Sequence, residues 1–136
     1  MSNHKFVTAK SISKMSKFDE AIVSYVSFMT EKLEMPSVNE ELLVALAQSL
    51  GTAIYDADAS LVACSDKGEL GRVRQNFLLG RLFLEDSPEL DKAIKAVCTK
   101  MGTSNRKKFR VVFYYLLIQF FGKESLILEP AESNLF

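Results

Sequence analysis

Three observations predict an all-α fold for this sequence. Apolar residues recur at helical spacing in five successive stretches, each opened by a residue able to cap a helix. No segment alternates with period two over a useful length, and no Asn-Gly or Asp-Gly hairpin turn occurs. The stretch from Phe109 to Phe121, FRVVFYYLLIQFF, is apolar on nearly all sides, as befits a central helix that others wrap. The expected architecture is a compact bundle of about five helices around this hydrophobic C-terminal helix.

Residues 1–15 are Ser/Lys-rich without periodicity and read as a flexible N-terminal arm; 16–128 form the helical domain and 129–136 a flexible tail. Ser16-x-x-Asp19 has the form of a capping box, followed by Ala21, Ile22, Tyr25, Val26, Phe28, Met29 and Leu33 until Pro36 ends the run. The first helix is expected over 17–34. Ser37-x-x-Glu40 repeats the signal for a second over 38–50, with the stripe Leu42, Leu43, Leu46, Ala47, Leu50.

Ser65 and Asp66 offer a cap for a third helix over 66–79, with Gly80 as its left-handed terminus. In SPEL, at 87–90, Ser87 caps and Pro88 takes the first helical position, where its missing N–H is harmless. That fourth helix ends at Gly102. Ser104 opens the last, closed by Gly122. Its greasy run of 13 residues with Arg110 near the start falls short of the roughly 20 that a membrane span needs, so no membrane partner is expected.

At 136 residues the chain suits one domain of ordinary globular composition, with 48% apolar and 25% charged residues. Cys64 and Cys98 form no C-x-x-C and read as separate buried thiols of a reducing compartment. The N-terminus has no apolar core of signal-peptide length. A cytoplasmic location follows.

The stretch AIYDADASLV, 53–62, resembles the nucleophile presentation of a haloacid-dehalogenase-like phosphotransferase, with Asp56 attacking phosphorus and Asp58 as acid. That chemistry needs Mg²⁺, further acids and a parallel sheet, whereas the flanking segments read as helices. A calcium loop starting at Asp56 would put Leu61 where glycine belongs and Lys67 where a bidentate Glu must sit. The plainer expectation is a turn whose Asp58 or Ser60 caps a short helix over 60–64. The sole histidine, His4, lies in the arm, so no Ser-His-Asp, Cys-His or His-bearing metal set is available. No phosphate-cradling glycine loop occurs. No cofactor is called for, and no catalytic signature is visible.

One pattern stands out. After Asp91 no acid appears until Glu124, and between them lie Lys92, Lys95, Lys100, Arg106, Lys107, Lys108, Arg110 and Lys123. Residues 1–68 carry six Lys against nine Asp and Glu, so the zero net charge hides a split molecule. Arg106, Lys107 and Arg110 crowd the expected start of the last helix, the positive end of its dipole. Three explanations compete. Carboxylates of the first or second helix neutralise them, they are plain solvated cations, or Ser104, Arg106, Lys107 and Arg110 bind a phosphate-bearing ligand or nucleic acid. Tyr114 and Tyr115 could stack bases there, or belong to the core. A homo-oligomer seamed by Phe83 or Leu84 is a further possibility.

Several words of the sequence carry a resemblance: SLG at 49–51, DASLVACSD at 58–66, ELGRVRQNFL at 69–78, LDKAIKAVC at 90–98, FRVVFYYLL at 109–117 and FGK at 121–123. In order and spacing the chain resembles the bacterial domain-of-unknown-function family 2853 over roughly residues 40–125. The resemblance implies a small, mostly helical domain and supplies no activity, ligand or catalytic residue.

Overall fold

The computed structural model describes residues 15–128; the expected arm and tail lie outside them, Met15 apart. Six α-helices and no strand occur among the described residues: α1 Lys17–Ser27, α2 Glu40–Leu50, α3 Lys67–Arg72, α4 Pro88–Met101, α5 Arg110–Phe121 and α6 Glu124–Leu128. Two of them widen into π-helical turns, α1 over Phe28–Lys32 and α3 over Val73–Leu79, and α2 tightens into a 3-10 turn over Gly51–Tyr55. The wide turn after α3 places Val73, Phe77 and Leu78 together in the core, a spacing suited to i→i+5 hydrogen bonding.

Helix starts follow the local chemistry with instructive exceptions. Ser16 Oγ accepts from the Asp19 N–H at 3.1 Å, as its box predicts. The second cap is Asn39, not Ser37: its Oδ1 accepts from Leu42 N–H at 3.1 Å, and its own N–H donates to the Tyr115 hydroxyl at 2.7 Å. That tertiary bond, from a residue 76 positions away, selects between two competent capping residues. Asp66 caps α3. Ser87 stands at the cap position of α4 without a side-chain capping bond. Its carbonyl accepts instead from Arg74, whose guanidinium also reaches Asp86 at 2.6 Å and Asp91 at 3.0 Å.

Gly80 is not left-handed, with φ −80°. Glycine fits there for another reason, since a Cβ would stand 2.8 Å from the Asn76 carbonyl oxygen. Gly122 does take the left-handed conformation (φ 64°) and ends α5.

The last long helix begins at Arg110, six residues later than the Ser104 start expected from sequence. Residues 102–109 are instead a loop that docks on the segment after Tyr55. Leu61 and Phe109 form an antiparallel bridge, with Val62 N–H donating to Lys108 O at 2.9 Å and Arg110 N–H to Ser60 O at 2.7 Å. The backbone of 60–62 thereby satisfies groups that a capping serine would otherwise serve. It also rules out the short helix expected over 60–64.

Seven of the twelve residues of α5 are buried, from Val111 to Ile118. It packs against α2 and α4, while α2 also meets α1 and α6. Tyr115, Phe113, Leu117 and Ile118 are fully enclosed. Burial and charge agree poorly at Lys108, which is buried and spends its ammonium on the Asn105 carbonyl.

The cysteines overturn the sequence expectation. Cys64 and Cys98 are joined in a disulfide, their Cα atoms 6.0 Å apart, and both are only partly buried. The 56–66 segment lies over α4 closely enough to bridge, a proximity that two cysteines 34 positions apart do not advertise.

Candidate functional site

The chemistry-bearing residues gather where the 56–66 segment, the start of α3 and the start of α5 meet. Asp56 Oδ1 accepts from Ala59 N–H and Asp58 N–H, both at 2.8 Å. Those bonds hold its carboxyl below the usual carboxylate range. Asp56, rather than Asp58 or Ser60, is therefore the turn-former, its side chain closing an Asx turn. Among the described residues no three His, Cys, Asp or Glu side chains are gathered as metal ligands.

The turn aims two carbonyls at Arg110. Its Nε donates to Ala59 O at 2.7 Å, and its Nη2 to Leu61 O at 2.9 Å and to Glu69 Oε2 at 2.5 Å. Nη1 reaches the Tyr114 hydroxyl at 3.3 Å, with the guanidinium 5.8 Å from that ring's centre. The Arg110 and Glu69 side chains are only 15% and 14% exposed. The neutralising acid does come from the same domain, but from α3 rather than from the first or second helix.

Burial pushes the Glu69 carboxyl up, but hydrogen bonds and charge from Arg110 and Arg72 more than offset it and leave it below the ordinary value. Burial likewise works against the Arg110 cation, and its bonds to Tyr114 and Glu69 hold its pKa above the ordinary arginine value. The sign for stability follows. A carboxyl depressed in the folded state stabilises the fold above its unfolded value, near 4.5, and loses that contribution as pH falls through the folded value. Urea midpoints should thus drop on acidification below about pH 4.5, and drop less in Glu69→Gln. An equal acid sensitivity in both proteins would show that the pair is not the source.

Of the four residues singled out for anion binding, the structure brings Arg106 and Lys107 to an exposed loop and turns Arg110 inward. Ser104 is exposed on the same loop, with no helix N-terminus beside it. The dipole cost expected at Arg106 and Lys107 therefore does not arise, since both precede α5 by at least three residues. Lys92 lies 3.7 Å from Glu89. Lys95, Lys100, Arg106 and Lys107 are exposed and make no ion pair among the described residues. Arg106 also borders a cavity of about 330 Å³ shared with Asp58, Asp66 and Glu69.

The tyrosines are committed to the fold. Tyr114 stacks on Phe77, ring centres 3.8 Å apart and planes 8° from parallel. Tyr115 is wholly buried and its hydroxyl serves Asn39 and Gln119. Of the two seam candidates, Phe83 is 75% exposed, whereas Leu84 packs against the core.

No helix among the described residues is long and apolar enough to cross a membrane. No curated protein matches the chain. The family described as "Protein of unknown function (DUF2853)" matches residues 24–125, a span that holds α2 to α5, the Arg110 cluster and both cysteines. The chain belongs to that family.

Proposed function

We propose that the protein is a binding module whose exposed cations, Lys95 and Lys100 on α4 with Arg106 and Lys107 on the following loop, take an extended polyanion such as nucleic acid. The observation that carries this reading is the set of four solvent-facing cations without an acidic partner among the described residues. They are spread along a helix and a loop instead of converging on one pocket, which suits a repeating chain of phosphates better than a single one. Ser104 adds a hydroxyl to the same loop. Arg110, which follows that loop, is committed to the fold: its donors tie the 56–66 segment and α3 to α5 through Ala59, Leu61 and Glu69. The module belongs, on this reading, to the cytoplasm, where dithiol reductants make a disulfide a changeable state.

Retention on heparin and binding of a fluorescent oligonucleotide, each as a function of salt, test it. Each cation neutralised should lower the slope of log K against log salt by about one. Arg106→Ala/Lys107→Ala and Lys95→Ala/Lys100→Ala should each lower it by about two. Wild-type binding in both pairs would refute the reading.

A further inference from the structure

The Cys64–Cys98 disulfide lies in the wall of a groove of about 470 Å³, within the span of small-molecule sites, roughly 300–1,000 Å³. Leu70 and Ile94 give it an apolar floor, and Lys67 and Lys95 stand at it from opposite sides, one on α3 and one on α4. Both lysines are exposed and make no ion pair among the described residues. The one acid in the lining, Asp91, is held by Arg74 at 3.0 Å, so the groove presents net positive charge beside two partly buried, disulfide-bonded cysteines that line it. A disulfide serving only as a staple needs neither the opening nor the two ammonium groups.

We propose that this is a thiol–disulfide exchange site for a small anionic thiol, one that carries carboxylates. Its thiolate attacks one Sγ; the bond between the incoming sulfur and that cysteine forms as the Cys64–Cys98 bond breaks. The other cysteine leaves as a thiolate, which takes a proton from water. A second thiolate then attacks the incoming sulfur of the mixed disulfide, forming the small-molecule disulfide and releasing the remaining cysteine as a thiolate that is protonated in turn. Two thiols have given up two electrons and the protein has gained them as two thiols; the reverse sequence closes the pair. Lys67 and Lys95 act twice, drawing in the carboxylates and stabilising negative charge on the departing sulfur. This proposal shares Lys95 with the polyanion reading but does not rest on it, since its readout is a ratio of exchange rates with no polyanion present.

The test reduces the oxidised full chain with glutathione, which carries two carboxylates, and with neutral 2-mercaptoethanol. Free thiols are trapped by rapid alkylation and counted by mass. With rates expressed per thiolate, glutathione should be faster by about fivefold, the equivalent of one close charge–charge attraction in water. The mixed disulfide should appear transiently. In Lys67→Gln/Lys95→Gln, and in high salt, the ratio should fall to about one. Both lysines are at the surface, and circular dichroism checks that the variant folds. A ratio near one in the wild type, a ratio unmoved by the double substitution, or no reduction by millimolar thiol would each overturn the proposal.

Discussion

Arg110→Ala should cost about 3–5 kcal/mol of stability, the range for breaking one side of a buried, hydrogen-bonded charge pair. The loss is not mainly that of an attraction. Removing the guanidinium leaves the Glu69 carboxylate, 14% exposed, with the surface residue Arg72 as its one remaining ion-pair partner among the described residues. It also strips the Ala59 and Leu61 carbonyls of their donor. Unmet polar groups of this kind cost about 1–3 kcal/mol each. Arg110→Lys separates the contributions. Lysine restores the charge, but three donors on one nitrogen cannot span two carbonyls and a carboxylate as a planar fork does. It should recover less than half of the loss. Glu69→Gln/Arg110→Met should be more stable than the sum of its single changes implies, by about 1–3 kcal/mol. Denaturant unfolding of the set decides. An alanine variant within 0.5 kcal/mol of wild type, or a lysine variant equal to arginine, would show that the cluster does not hold the 56–66 segment.

Arg110 also marks how far the sequence could be read. A cation at the positive end of a helix dipole is anomalous in the sequence itself, and the anomaly was a true signal of an internal partner. The partner's identity was not visible, because Glu69 reaches Arg110 across 41 positions and only the completed fold sets that distance. Helices were legible where cap and stripe agreed locally, as at Ser16, Asp66 and Gly122. The errors fell where tertiary bonds replaced local ones. Asn39 displaced Ser37 through the Tyr115 hydroxyl, and the start of α5 moved from Ser104 to Arg110 because the 60–62 backbone took over the capping. The exposed cations Arg106 and Lys107 were readable as a charge run, since such a run needs no partner to be seen. The pairing of Cys64 with Cys98 depends wholly on the turn that Asp56 forms and the path of the chain after it.

That pairing should be worth about 4 kcal/mol, the loop-closure entropy for cysteines 34 positions apart. Cys64→Ser/Cys98→Ser, or reduction of the wild type, should therefore lower the melting temperature by roughly 10–15 °C in a domain of this size. Two contributions are separable. If the bond acts on the unfolded chain, reduction leaves the folded structure unchanged and raises the urea m-value, because the freed chain exposes more surface. If it also fastens the 56–66 segment to α4, reduction should speed amide exchange at Ser60, Val62 and Arg110, whose N–H groups lie in and beside the Leu61–Phe109 bridge. The second effect connects the two halves of the molecule. The segment released from Cys98 is the one that presents Ala59 and Leu61 to Arg110, so the cost of Arg110→Ala should be smaller in the reduced protein than in the oxidised one. Equal costs in both states would mean that the disulfide and the Arg110 cluster stabilise the chain independently. Identical melting of oxidised and reduced protein would remove the disulfide from the account of stability altogether.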